Sequence, residues 1–180
     1  MPLKQTPLFQ ECKDIGCKMV PFAGWEMPIQ FSSLIKEHEA VREKAGIFDI
    51  SHMGVYQLSG EQTKKSLQKL VPSDLFRISS GEACYSVLLN ENGGIIDDLI
   101  ISNIKIDNKL YLYFVYNASR KKEDEEIFLK CCPSAEIIHK TNCLFAIQGP
   151  DSIKILNNII EIPNDMNFLD IRLFKFKSKE

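Results

Sequence analysis

Two apolar runs joined by an Asn- and Gly-rich break constrain this chain more than any other feature. Ala83 to Leu89 is the first run, Asn90-Glu91-Asn92-Gly93-Gly94 the break, and Ile95 to Ile101 the second run. The pattern predicts a β-hairpin, because Gly and Asn supply the backbone conformations that a tight reversal needs. Asn108 then turns the chain into Leu110 to Tyr116, a third strand of the same series. Strands joined by tight turns argue against a doubly wound parallel sheet. With helical patterns mixed among them, the class is α+β: mixed, mainly antiparallel sheets with flanking helices.

The remaining elements follow from periodicity and punctuation. Thr6 is placed to cap a short helix through Leu8, Phe9 and Cys12, and Met19 to Trp25 reads as a strand entering a loop. Ser32 or Ser33 opens a helix with Leu34, His38 and Val41 on one face and Gly46 as its C-cap. Val55 to Ser59 is a strand, and Glu61 to Val71 a helix facing inward through Leu67, Leu70 and Val71. Ser119 is expected to cap a charged helix over Arg120 to Lys130. Further strands lie at Ala135 to Ile138 and Leu144 to Ile147, with a last helix after Ser152. The best internal break lies between Ser51 and Gly54.

Charge and composition remove several function classes. The formal net charge is -2 with 44% hydrophobic residues, which gives no global field for nucleic acid or an anionic membrane. No apolar run approaches a membrane span. The first residues lack a hydrophobic h-region and the Arg-rich character of a transit peptide, so a cytoplasmic location is expected. The cysteines at 12, 17, 84, 131, 132 and 143 contain no CxxC pair and read as free thiols. His38, His52 and His139 have no HExxH or HxH spacing, so no metal site is expected, and His52 is read as orienting backbone at the break. Nucleotide-cradling glycine motifs and the GxSxG elbow are absent.

Ile95-Ile96-Asp97-Asp98-Leu99-Ile100-Ile101 carries the chemistry. Alternation puts Asp97 on one face with Ile95, Leu99 and Ile101, and Asp98 on the other with Ile96 and Ile100. Both faces are otherwise apolar, as in a strand covered on both sides. A carboxylate in such a place needs hydrogen-bond donors, a raised pKa or a polar ligand. Tyr85 on the preceding strand and Asn117 after the next are candidates to stand near Asp97 beside a flat heteroaromatic ligand. The alternative is purely structural: the acids cap a loop or pair with Lys or Arg, Tyr85 packs, and Asn117 makes a turn.

Several stretches together resemble the glycine-cleavage T-protein family. They include Phe22-Ala23-Gly24-Trp25-Glu26-Met27-Pro28, Glu37-His38-Glu39-Ala40-Val41-Arg42 and Ala45-Gly46-Ile47-Phe48-Asp49-Ile50-Ser51-His52-Met53. Asn92-Gly93-Gly94-Ile95-Ile96-Asp97-Asp98-Leu99-Ile100, Asn117-Ala118-Ser119-Arg120 and Ile147-Gln148-Gly149-Pro150 follow in family order. The resemblance implies a folate-binding aminomethyltransferase-like domain that moves a one-carbon unit from the aminomethylated lipoyl group of the H-protein to tetrahydrofolate, releasing ammonia. It implies a catalytic, folate-contacting role for Asp97 and a structural one for Asp98. Met53, Tyr85, Val115 and Asn117 are implied to line the pterin side of the pocket.

On this basis residues 1–52 plus 141–180 form a first, incomplete folate-domain lobe, and 53–140 a second α+β lobe carrying the Asp97 strand. Full family members run to roughly twice this length. The downstream Tyr, Glu and Arg that close the family's folate site, and its C-terminal domain, are missing from these residues. The alternative is therefore a non-catalytic folate- or H-protein-binding module. The Lys-Gly-Cys-Tyr motif of the related iron–sulfur assembly proteins is absent.

Overall fold

A computed structural model describes residues 2–59, 61–133, 136–137 and 143–174. The chain divides into two units: Met1–His52, Thr141–Met166 and Leu173–Glu180 in the first, Met53–Lys140 and Asn167–Arg172 in the second. Residues 167–172 thus leave the lobe to which the sequence pattern assigns them. They join the second unit through backbone bonds from Ala83 to Leu169 at 2.8 Å and from Ile171 to Gly81 at 2.7 Å.

The first unit begins with β1 (Lys4–Gln5), α1 (Phe9–Asp14), β2 (Lys18–Phe22), β3 (Trp25–Gln30), α2 (Leu34–Glu43) and β4 (Gly46–Asp49). The second continues with β5 (Gly54–Ser59), α3 (Glu61–Leu67), β6 (Glu82–Leu89), β7 (Ile95–Ile106), β8 (Lys109–Tyr116), α4 (Lys121–Cys131) and β9 (Glu136–Ile137), with a 3-10 turn at Leu75–Arg77. The first unit closes with β10 (Phe145–Gln148) and α5 (Ser152–Leu156).

In the first unit β3 pairs antiparallel with β2 and parallel with β1, while β10 pairs antiparallel with β4. Several helix ends differ from the sequence expectation because side chains find other partners. Thr6 does not cap α1; its hydroxyl donates to Asp49 Oδ2 at 2.7 Å. Neither Ser32 nor Ser33 caps α2 through its side chain. The Glu37 carboxylate instead accepts the backbone N–H groups of Phe31, Ser32 and Ser33. Those amides, Ser32 first, hold its carboxyl below the ordinary range. Gly46 opens β4 rather than capping α2, which ends at Glu43. Leu34 is exposed rather than inward.

Gly149 has a structural reason to be glycine. Its φ is +122°, and a Cβ there would crowd the carbonyl oxygens of Val41 and Lys44. The close approach lets the Asp151 N–H reach Lys44 O at 2.8 Å, joining the end of α2 to the segment before α5.

The second unit is one antiparallel five-stranded sheet in the order β6-β7-β8-β5-β9. Its turns match the expected residue chemistry. Asn90 Oδ1 accepts the N–H groups of Asn92 and Gly94 at 2.9 and 2.8 Å, and Asp107 and Asn108 both take positive φ between β7 and β8. One sheet face carries the core: Tyr56, Leu58, Leu88, Leu99, Ile101, Leu112, Phe114 and Tyr116 are all buried. Leu67 of α3 and Phe128 of α4 cover it. Gly54 lies beneath the Tyr116 ring, in space that any Cβ would occupy.

α4 starts at Lys121 with Arg120 at its N-cap, so Ser119 is not the cap. Asp124 and Phe128, one turn apart, are its buried residues. Phe128 lies 5.0 Å from Tyr56, 5.4 Å from Phe114 and 5.6 Å from Tyr116 between ring centroids. Among the described residues no helix is long and apolar enough to cross a membrane.

Because the sheet's buried face closes around one ring, Phe128→Ala is expected to destabilise the chain by about 3–5 kcal/mol. Urea unfolding followed by circular dichroism measures it; a loss below about 1 kcal/mol would mean that α4 does not hold the core.

Candidate functional site

A bulge decides which way the adjacent acids point. Leu88 stands opposite Asp97 and Leu89 opposite Ile95, so Ile96 is an extra residue in β7. From Asp97 to Ile101 the alternation is regular: Asp97, Leu99 and Ile101 are buried, and Asp98 and Ile100 are exposed. Ile95, which simple alternation places with Asp97, is exposed. The strand is therefore not apolar-covered on both faces here.

Asp97 turns inward and is 7% exposed. Its Oδ2 accepts the Asn117 backbone N–H at 3.0 Å, and its Oδ1 accepts from Asn117 Nδ2 at 2.8 Å. Asp124 reaches it from α4 and is fully buried. Burial first, then the hydrogen bond and charge of Asp97, push the Asp124 carboxyl up to about 8. Asp97 is neither in bulk solvent nor locked to a cation. On the α4 side the Asp124 carboxyl is its neighbour.

Asp98 faces outward among the other expected residues. The Tyr85 hydroxyl donates to Asp98 Oδ2 at 2.7 Å, and Asn117 Nδ2 reaches Asp98 Oδ1 at 2.9 Å. The hydrogen bond to the Asp98 carboxylate raises the Tyr85 phenol above its ordinary value. Tyr85, Ile100, Val115 and Val55 form one row across the strands, on the Asp98 side. Val115 is half-buried in that row. Met53 precedes Gly54, the register partner of Tyr116, so it lies at the same end of the β5–β8 pair as Asn117.

The structure thus gathers Tyr85, Val115 and Asn117 on one side of the sheet, with Asp98 rather than Asp97 as the accessible carboxylate. The sequence reading expects both acids on covered faces; the structure buries Asp97 and leaves Asp98 exposed. The physical reason is the core: the Asp97 face is the one covered by α4. Asn117 joins both faces because it sits where β8 ends and its amide can reach around the edge.

Asp124 is the residue that sequence reasoning misses. Its signal is its spacing from Phe128, since residues four apart share a helix face. A cleft of about 620 Å³ also lies in the second unit, lined by Ser73, Arg77, Cys84 and Phe168 among others, but by none of the expected site residues. His52 packs edge-on against Phe22 at 5.7 Å between centroids. His38 lies on α2, and His139 falls outside the described residues. Among the described residues no group of three or more His, Cys, Asp or Glu side chains is arranged to hold a metal.

Comparison with known proteins agrees with the fold. The GCVT N-terminal domain family matches residues 8–179. An aminomethyltransferase of Prochlorococcus marinus (strain NATL2A) is 54% identical over 170 residues, covering 91% of this chain and 45% of that protein. An aminomethyltransferase of Parasynechococcus marenigrum (strain WH8102) is 51% identical over 165 residues, covering 88% and 45%. The crystal structure of glycine cleavage system aminomethyltransferase T from Bartonella henselae superposes with a TM-score of 0.81 at 31% identity, covering 93% of this chain and 46% of that one. The chain spans just under half the length of these relatives. With nearly all of its residues matched, the chain belongs to the family of GCVT N-terminal domains, as found in the T-protein of the glycine cleavage system.

Proposed function

We propose that this chain is the folate-binding N-terminal part of an aminomethyltransferase of glycine cleavage. In that reading a one-carbon unit passes from the aminomethyl-lipoyl group of the H-protein to tetrahydrofolate, and ammonia leaves. The family match and the names of its relatives support the class. The observation that carries the reading is the exposed Asp98 carboxylate, held by Tyr85 and Asn117 on a regular sheet.

These residues suit a pterin. Its N–H edge needs a carboxylate acceptor, and its flat faces need aromatic or aliphatic surface. Asp98 supplies the acceptor, while Tyr85, Ile100, Val115 and Met53 supply the surface. When bound, tetrahydrofolate provides the nucleophilic nitrogen that receives the one-carbon unit. Asp98 orients that edge and stabilises positive charge as it develops nearby. Tyr85 and Asn117 fix the carboxylate beforehand, so little reorganisation is needed. Asp97, assigned the catalytic role from the sequence, becomes the buried support. A cytoplasmic location and the lipoylated H-protein as partner complete the proposal.

A second reading is a folate- or H-protein-binding module without turnover. Ammonia release from aminomethylated H-protein separates the two, since a binding module takes up tetrahydrofolate and releases none.

Titration of the chain with tetrahydrofolate tests the site. Asp98→Asn is expected to weaken binding about ten- to hundredfold, the worth of a hydrogen bond to a charged group. Asp97→Asn is expected to lower stability while the folded fraction still binds. Wild-type affinity in Asp98→Asn would remove Asp98 from the site.

Asn117→Ala leaves the buried Asp97 short of a side-chain donor. It is expected to cost about 1–3 kcal/mol in urea unfolding, whereas Tyr85→Phe, at an exposed position, leaves stability unchanged.

A further inference from the structure

β7 runs on past the end of β8. Its register with β8 begins at the pair Leu99–Tyr116, whereas its register with β6 reaches back to Ile95. Residues 95–98 are therefore laddered on one side only, and among them Ile96 has no register partner on β6 either. Backbone groups left out of a ladder need other partners.

Those partners come from Asn117 to Arg120, the turn that leads from β8 into α4. The Arg120 N–H closes this turn on Asn117 O at 3.2 Å. Asn117 Nδ2 reaches Asp98 O at 3.3 Å as well as the carboxylates of Asp97 and Asp98. Arg120 Nε donates to Ile96 O, the carbonyl of the bulged residue, at 3.2 Å. At its other end the guanidinium pairs through Nη2 with Glu123 Oε2 at 2.9 Å. The group is planar and rigid, so a contact at each end fixes it, and a lysine ammonium offers no such two-point hold. The pair with Glu123 has both side chains open to solvent and stabilises little by itself. What it does is aim Nε at β7.

We infer that Arg120 is a positioning residue for the site: oriented by Glu123, it anchors the bulged backbone just before the two acids and so holds Asp98 against the Tyr85 hydroxyl. Asn117 grips the carboxylates themselves, and Arg120 grips the strand that carries them. It acts through the backbone, two residues before Asp98. The bearing of Arg120 on activity rests on the folate reading, whereas its effect on Asp98 and Tyr85 belongs to the ligand-free chain.

An NMR titration of the tyrosine ring carbons in the full 180-residue chain reads that effect without any ligand. The hydrogen bond to Asp98 raises the Tyr85 phenol in the native chain, and Tyr85→Phe identifies its resonance. In Arg120→Ala the Tyr85 midpoint is expected to fall toward 10, the ordinary value for a phenol. Removing a nearby cation would by charge alone move the midpoint upward, so a fall reports the lost contact with Asp98. Tetrahydrofolate binding by the folded variant is expected to weaken about three- to tenfold, the worth of one hydrogen bond.

A Tyr85 midpoint unchanged in folded Arg120→Ala would overturn the inference, even with a lower Tm, because a merely structural arginine costs stability and leaves that midpoint alone. Should Arg120→Ala fail to fold, Arg120→Lys, which keeps the charge without the two-point hold, is read in the same way. If the native chain binds no tetrahydrofolate, the folate reading fails and the Tyr85 titration still decides the role of Arg120.

Discussion

Everything at the candidate site depends on how β7 is paired. A strand shows alternate residues to opposite faces, so a one-residue slip exchanges every side chain. Here the bulge at Ile96 sets the phase, and the hairpin with β6 holds it. In this phase Leu99 and Ile101 enter the core. The neighbouring acids are then forced into unlike surroundings, Asp97 under α4 and Asp98 outside. Apolar burial fixes the phase, because each of those side chains is worth about 1.5–3 kcal/mol when taken from water. The acids follow, and their chemistry is a consequence of the packing.

Carboxylates placed in this way call for unlike compensation. Asp98 keeps solvent and a phenol, which suffices for an exposed charge. Asp97 has lost water and gains the backbone and side-chain N–H groups of Asn117. Asp124, buried more deeply, has no such donors, and its burial raises its carboxyl well above the ordinary range. An apolar residue at that position would avoid the desolvation cost.

Much of the second unit was legible in the sequence because its turns announce themselves. Asn90 to Gly94 and Asn108 lie at hairpin reversals, and β6, β7 and β8 follow from them. Burial of Tyr56 and Leu58 along β5 was equally readable from alternation. The bulge was not legible: Ile96 is as apolar as its neighbours, so nothing in composition marks it as the extra residue. Without it, Ile95 falls on the wrong face, and both faces look covered. Helix starts were misread for a related reason. Thr6, Ser33 and Ser119 each have the side chain of a cap, yet Thr6 finds Asp49 and the amides before α2 find Glu37. Long-range partners override a local preference when they satisfy the same groups. Asp124 was hidden among the charges of α4, where only Phe128, one turn later, betrays the inward face.

The motifs that carry the family resemblance divide by physical role. Glu37 caps the start of α2, and Gly149 permits the close approach at its end. Asp49 takes the Thr6 hydroxyl at 2.7 Å and the Ser51 N–H at 2.9 Å, while Ser51 Oγ accepts the Leu144 N–H at 3.0 Å. These residues hold the first unit together, and folding alone accounts for them. The Tyr85–Asp98 pair differs, since it stands on an exposed sheet face and the core does not require it. Tyr85 and Asp98 bury nothing by pairing on an exposed face, and such a pair contributes little to stability. A hydrogen-bonded carboxylate beside a ring and two aliphatic side chains is better suited to receiving a ligand than to holding a sheet. The functional reading therefore rests on that cluster, and the other motifs bear on the fold that presents it.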